Sequence, residues 1–311
     1  MSGRTRILVI RHGALGDVVM ALWPATAIRR AHPDAHITLL TSSPYRALAE
    51  RSGLFDAVWI DDRLRPWHVA SHLRLARRLR QGGFARVYDL QCSGRTDFYY
   101  RFFMAGRRPE WCGTAAGASH RHDNPQRKRL HALDRFAEQL AVAGIGLGER
   151  PALAWLDDDV SALDLPSRYA ALIPGAAPHR PEKRWPAPRF AELARALAKS
   201  GLATVILGAS ADRPLAAEIA GMVPGARDLA GRTDLFALAG ILRRAAFAVG
   251  NDTGPMHLAA AVGTRSLVLF SAASDPALSA PRGAAVELLR EDDLGDLDSQ
   301  RVRARLSVWA P

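Results

Sequence analysis

A chain of 311 residues, 48% apolar and 23% charged, has the composition of a globular protein too long for one domain and without bulk disorder. Two cysteines, Cys92 and Cys112, are too few for a disulfide framework, and with no Cys-x-x-Cys spacing neither zinc nor dithiol chemistry is indicated. The net charge of +11 falls wholly in residues 1–150, where 24 Lys and Arg face 13 Asp and Glu, against 18 of each in residues 151–311. A basic half of this kind suits an anionic partner, although an arginine-rich surface with no partner has the same composition. Arg4 and Arg6 before an apolar run imitate a signal peptide, but Arg11, His12 and Asp17 interrupt it at once. No apolar run reaches the length of a membrane span, and a cytoplasmic protein is expected.

The first element is the β-branched run "ILVI" (Ile7 to Ile10), a strand. After it comes "RHGALGDVVM", in which Gly13 and Gly16 lead into a helix marked by Val18, Ala21, Leu22, Ala25 and Ile28 at helical spacing. Asp17 opens that helix. As an N-cap its carboxylate satisfies orphan amides at the positive end of the helix dipole; as a functional group it is an acid or base at a strand end. Neither G-x-G-x-x-G nor G-x-x-x-x-G-K-[ST] is present, which disfavours a dehydrogenase and a P-loop NTPase.

Strands follow at "ITLLTS" (Ile37 to Ser42), "AVWID" (Ala57 to Asp61) and "ARVYDL" (Ala85 to Leu90), each followed by a helical pattern. "DFYYRFF" (Asp97 to Phe103) is aromatic and basic, but its helical spacing suits a core or membrane-facing helix rather than a base-stacking platform, and no nucleic-acid partner is expected. The stretch "GIGLGERPALAWLDDDVSALDLPSR" weakens the pattern and marks a linker near residues 151–166. The alternation then restarts with "YAALIPG" (Tyr169 to Gly175), the helix "PRFAELARALAKSG", "ATVILG", "FAVGND" and "SLVLF". The expected architecture is α/β, two Rossmann-like domains at 1–155 and 156–311 with ligands at the carboxyl ends of the strands.

Two stretches of the second half carry chemistry. "GNDTGPMHLAAAVG" (Gly250 to Gly263) sets Asp252 at a strand end and Thr253 and Gly254 at a helix start, with His257 in the first turns. Free amides, a hydroxyl and a glycine at that place make a diphosphate site, which His257 supplements; the plainer reading is a capped helix with a surface histidine. "PGAAPHRPEKRWP" (Pro174 to Pro186) gathers His179, Arg180, Lys183 and Arg184. A lysine where arginine is the rule suits a compact charge at a phosphate, unless Glu182 pairs with an arginine and the loop is only a solvated turn.

"GALGDVVMALWPA", "PGAAPHRPEKRWP" and "NDTGPMHLAAAVGT", in order and spread over most of the chain, resemble glycosyltransferase family 9. These heptosyltransferases transfer heptose from ADP-heptose to the lipopolysaccharide inner core of Gram-negative bacteria. "YDLQCSGR" (Tyr88 to Arg95) is similar to that family's D-x-Q-G stretch, with Cys92 in place of the glycine. The resemblance implies a GT-B fold, acceptor in the first domain and sugar nucleotide in the second. It implies an inverting, metal-independent transfer without cofactor, with Asp17 as general base and Lys183 assisting departure of ADP.

Donor contacts implied are Gly16, Gly175, Lys183, Asp212, Asp252, Thr253, Gly254 and His257. Arg11, Gln91, Arg95 and Arg101, beside strand ends of the basic half, are the acceptor candidates. The acceptor implied is an anionic, lipid-linked saccharide, which places the protein peripherally on the inner membrane. Ala176 and Ala177 stand where the family has hydroxylated residues, which leaves another nucleotide sugar open as donor. A non-catalytic sugar-nucleotide binder and an epimerase on the same scaffold are the rival readings. The tail "DLDSQRVRARLSVWAP" is expected to form a last amphipathic helix that returns toward the first domain.

Overall fold

The structure, a computed structural model, describes residues 4–63, 67–104 and 108–309. The chain forms two compact units, Met1–Pro151 and Ala152–Pro311. In the first, strands β1 (Arg6–Ile10), β2 (His36–Thr41), β3 (Ala57–Ile60), β4 (Arg86–Asp89), β5 (Glu110–Gly113) and β6 (His120–Arg121) alternate with helices α1 (Leu15–Ala31), α2 (Arg46–Arg51), α3 (Val69–Gln81), α4 (Gly94–Phe102) and α5 (Ala132–Val142). All pairings are parallel, in the order β3-β2-β1-β4-β5-β6.

The second unit repeats the scheme with β7 (Tyr169–Ile173), β8 (Ala203–Ile206), β9 (Arg227–Asp228), β10 (Phe247–Asn251), β11 (Ser266–Phe270) and β12 (Val286–Arg290). Its helices are α6 (Ala187–Lys199), α7 (Arg213–Met222), α8 (Leu235–Arg244), α9 (Gly254–Ala261), α10 (Pro276–Ser279) and α11 (Ser299–Leu306). The sheet is again all parallel, ordered β12-β11-β10-β7-β8-β9.

Strands covered on both faces are largely apolar, which is why residues 7–10 of β1 and 170–173 of β7 are continuous runs of Ile, Leu, Val and Ala. Alternate residues of β1 serve opposite faces: Ile7 and Val9 pack with Met20, Ile28 and Phe136, while Leu8 and Ile10 pack with Val87, Tyr99 and Trp111. In the second unit Trp185, wholly buried, meets the Phe190 ring edge-on at 4.7 Å between centroids. Helix α11 lies on α6 of its own unit, with Val302 and Leu306 in that core.

In each sheet the chain reverses its order of strand addition once, between β1 and β4 and between β7 and β10. Strands on either side of such a point send their following loops in opposite directions, so a crevice opens at their carboxyl ends. The loops after β1, β4, β7 and β10 carry most of the residues singled out from the sequence.

Candidate functional site

In the first unit, three of the singled-out residues converge at the ends of β1 and β4. Arg11 is turned inward, its side chain only 10% exposed. Its guanidinium donates to the Leu90 carbonyl at 2.6 Å, pairs with Asp17 Oδ1 at 2.8 Å and lies 5.6 Å from the Phe136 ring centroid. Asp17 is not the N-cap. Helix α1 begins at Leu15 after Ala14, so Asp17 holds the third helical position and its Oδ2 reaches back to accept from the Ala14 amide at 3.1 Å. The Asp17 side chain is 44% exposed. Gly16, one position earlier, is buried in the first turn. Gly13 turns the loop at φ +141°, and a Cβ there would stand 2.6 Å from the Tyr45 ring.

Gln91 braces the same loop, its Oε1 accepting from the His12 amide at 3.0 Å. Beneath it lies a network that the sequence reading missed. The His12 ring, fully buried, meets Asp61 Oδ2 at 2.9 Å, and the Tyr99 hydroxyl donates to that oxygen at 2.5 Å. Burial opposes ionisation of Asp61, yet the bonds from His12 and Tyr99 bring its carboxyl down to about 2. Asp89, at the end of β4, has the opposite balance: complete burial raises it to about 6 against amide bonds from Cys92 and Gln91.

Cys92 replaces a glycine expected from the resemblance, and it occupies a glycine-like backbone at φ +47°. Its thiol donates to the Asp89 carbonyl at 2.9 Å, and burial pushes it up. Cys112, also buried, is pushed up to about 12.

Arg95 stands at the start of α4, donating to the Arg63 carbonyl at 3.3 Å and, more weakly, to the Tyr99 hydroxyl. Arg101 is apart from the cluster. Six residues along the same helix place it about 9 Å further on, exposed and 6.0 Å from the Phe98 ring centroid.

In the second unit, Lys183 Nζ meets Asp252 Oδ2 at 2.6 Å. Asn251, fully buried at the end of β10, explains how the two loops find each other: its amide donates to the Pro174 carbonyl at 2.7 Å, and its Oδ1 accepts from the Trp185 amide at 3.0 Å. The Trp185 indole donates in turn to the Leu297 carbonyl at 2.8 Å. A buried polar residue ending an apolar strand was the available signal for Asn251.

Thr253 is the N-cap of α9, but its hydroxyl makes no capping bond, and Asp252 gives its carboxylate to Lys183. Helix capping therefore does not account for either side chain. Gly254 is the first helical residue, and His257, expected at the surface on the plainer reading, is buried. Of the other basic residues of the Pro174–Pro186 loop, Arg180 pairs with Glu182 at 2.6 Å and also donates to the Ala273 carbonyl, while Arg184 donates to the Ala176 carbonyl at 3.3 Å.

Asp212 ends a 3-10 turn before α7 and accepts from the Ala209 amide at 2.9 Å. Its carboxylate lies against the ends of β7 and β8, where a Cβ on Gly175 would come within 2.5 Å of it and one on Gly208 within 2.9 Å of its Cβ. Gly175 thus admits Asp212 to the strand ends. Among the described residues no three His, Cys, Asp or Glu side chains gather into a cation site.

Two six-stranded parallel units, each with polar loops at its switch point, have the GT-B fold. The sequence matches glycosyltransferase family 9 (heptosyltransferase) over residues 72–307, and the chain belongs to that family. It is 34% identical over 307 residues to lipopolysaccharide heptosyltransferase 2 of Salmonella typhimurium, covering 92% of this chain and 88% of that protein. Matches to three more heptosyltransferase 2 proteins, from Haemophilus influenzae, Haemophilus ducreyi and Escherichia coli, span 42, 38 and 33% of their lengths. The fold is similar to that of E. coli ADP-heptose lps heptosyltransferase II (TM-score 0.80, 23% identity, 98% of each chain). It is also similar to E. coli heptosyltransferase WaaC with ADP-2-deoxy-2-fluoro heptose (TM-score 0.77, 20% identity, 98% of this chain and 99% of that one).

Proposed function

We propose that this enzyme transfers a heptose from ADP-heptose to an anionic lipopolysaccharide core acceptor, with inversion and without a metal ion. The observation that carries the reading is the carboxylate of Asp17, part-exposed in the first turn of α1 and steered by Arg11. An acceptor hydroxyl is a weak nucleophile, and a carboxylate within hydrogen-bond reach takes its proton as its oxygen attacks the anomeric carbon. The bond from that carbon to the diphosphate oxygen breaks, ADP leaves with the electron pair, and attack from the opposite side inverts the centre.

Charge growing on the departing diphosphate calls for donors already in place. Lys183, the amides at the start of α9, the Thr253 hydroxyl and His257 fill that role, and Asp252 holds Lys183 in position. Asp212, at the ends of β7 and β8, contacts the nucleotide sugar beside Gly175. Gly16 gives the donor room at the first turn of α1. Arg11 and Gln91 shape the acceptor side, with Arg95 and Arg101 further out on α4 toward the anionic part of the acceptor. ADP-heptose as donor is supported by the family, and by the solved relative that holds its 2-deoxy-2-fluoro analogue. The enzyme works peripherally at the cytoplasmic face of the inner membrane, where a lipid-linked acceptor is presented.

The test is ADP release from ADP-heptose, with and without a truncated acidic core acceptor, in EDTA, for wild type and Asp17→Asn. Acceptor-dependent release that survives EDTA and collapses in the variant is expected. Donor binding without turnover would instead favour a sugar-nucleotide binder, consumption without acceptor an epimerase, and no binding of ADP-heptose a different nucleotide sugar.

A further inference from the structure

Among the described residues of the first unit, a large apolar surface is exposed between α3 and α4. A groove of about 710 Å³ runs there, lined by Val69, Leu73 and Ala76 from α3 and by Phe98 and Phe102 from α4, with Met104 beyond the helix end. Val69, Leu73, Phe98 and Met104 are 49 to 63% exposed, and Trp67, 66% exposed, stands just before α3. Isolated exposed apolar side chains are ordinary, but a contiguous row of them marks a binding surface.

The charges around the groove say what kind. Arg80, Arg95 and Arg101 line it, and α3 also carries Arg74, Arg77 and Arg78 with no acid in its whole length. Arg78 is occupied over the Trp59 ring at 4.1 Å, and Asp97, the single acid of α4, accepts from Thr114. A basic helix with one apolar face and an exposed tryptophan just before it suits attachment at an anionic lipid surface. The groove also borders the candidate acceptor site: Arg95 and Tyr99 line its wall, and the Tyr99 hydroxyl holds the Asp61 carboxylate that fixes His12 beside Arg11.

We propose that the α3–α4 face is the surface by which this protein docks on an anionic bilayer. Val69, Leu73, Phe98 and Met104 enter the acyl boundary, and the arginines meet lipid phosphates. This rests on the reading above that the acceptor is lipid-linked, and it assigns the surface by which the protein meets it.

The experiment is cosedimentation of the full chain with phosphatidylethanolamine–phosphatidylglycerol vesicles and with phosphatidylcholine vesicles, at low and physiological salt. It compares wild type with the double variant Val69→Glu/Leu73→Glu. Wild type is expected to bind the anionic vesicles in a salt-sensitive way and the neutral ones weakly. The double variant is expected to lose about tenfold in binding with its melting temperature and its turnover of a deacylated acceptor unchanged. Amide exchange should slow in residues 69–81 and 94–104 when anionic vesicles are added to wild type.

Unaltered vesicle binding by the double variant overturns the proposal, as does exchange in those two segments that ignores the vesicles. Self-association through this face without vesicle binding overturns it in favour of a second copy. Vesicle binding that depends on Val69 and Leu73 in a protein that transfers no heptose upholds the docking face and sinks the transferase reading. Transfer to a deacylated acceptor without any vesicle binding does the reverse.

Discussion

Lys183 and Asp252, 69 residues apart in the chain, meet at 2.6 Å with side chains 16 and 8% exposed. Two loops that leave different strands of the second sheet are thereby locked together, with Asn251 and Trp185 supplying the uncharged half of the lock. A charge pair this shielded is costly to form, and its worth shows when one partner is removed and the other is left behind.

Lys183→Met should therefore destabilise the protein by up to about 3 kcal/mol and weaken ADP binding. Lys183→Met/Asp252→Leu should recover part of the stability but none of the binding. Urea melts and ADP titration of both variants separate the two effects, and a double variant no more stable than the single one would show that the two charges do not depend on each other.

Arg11 makes two directed bonds at once, to Leu90 and to Asp17. A lysine has no planar fork with which to do both. Arg11→Lys should lower kcat about tenfold or more by letting the Asp17 carboxylate swing, since small misplacements of a reacting group are expensive, while donor KM stays near its wild-type value. Initial rates at saturating acceptor check this, and a change confined to donor KM would contradict it.

Gly175→Ala would push a methyl group into the Asp212 carboxylate. The expected result is a rise in donor KM of about tenfold, from displacement of one charged contact. Asp212→Ala should produce a similar rise, and Gly175→Ala/Asp212→Ala no more than either alone, because neighbours that act through one contact do not add. Fully additive losses would mean that the glycine serves some other purpose.

Two buried carboxyls should give stability opposite pH dependences. Asp61, brought down to about 2, binds protons less readily folded than unfolded, so its contribution of about 2 kcal/mol is present above pH 4 and drains away as pH falls through 2. Asp89, raised to about 6, favours the folded state below pH 4 and loses that advantage as pH climbs through 6. Asp61→Asn should flatten the acid limb of the stability curve. Asp89→Asn keeps an oxygen for the Gln91 and Cys92 amides and should flatten the curve between pH 4 and 6. Denaturant melts from pH 2 to pH 7 test both, and unchanged slopes in the variants would refute the assignments.

The central strands were legible because a strand buried on both faces carries a continuous apolar run, as residues 7–10 of β1, all of β7 and residues 267–270 of β11 do. The sequence reading missed β5, β6, β9 and β12. Two of these are dipeptides, β5 is the four-residue "EWCG", and β12 sets Glu287 and Arg290 among its apolar residues, so none forms the expected run. At the candidate site, residue types and strand-end positions were readable for Asp17, Lys183 and Asp252. Orientation was not. That Arg11 turns inward, that Asp17 sits in the third rather than the capping position, and that His12 meets an aspartate 49 residues away all depend on loops brought together by the sheet.

The two native thiols carry a practical consequence. Burial raises both Cys92 and Cys112, and the thiolate is the form that reacts with alkylating reagents. The folded protein should consume almost no maleimide at neutral pH, and rapid uptake of two equivalents would show otherwise. With that silent background, a single cysteine installed at the tip of α3 or α4 can carry a fluorophore or spin label without any native residue being removed, and the chain becomes its own reporter of where it touches a surface.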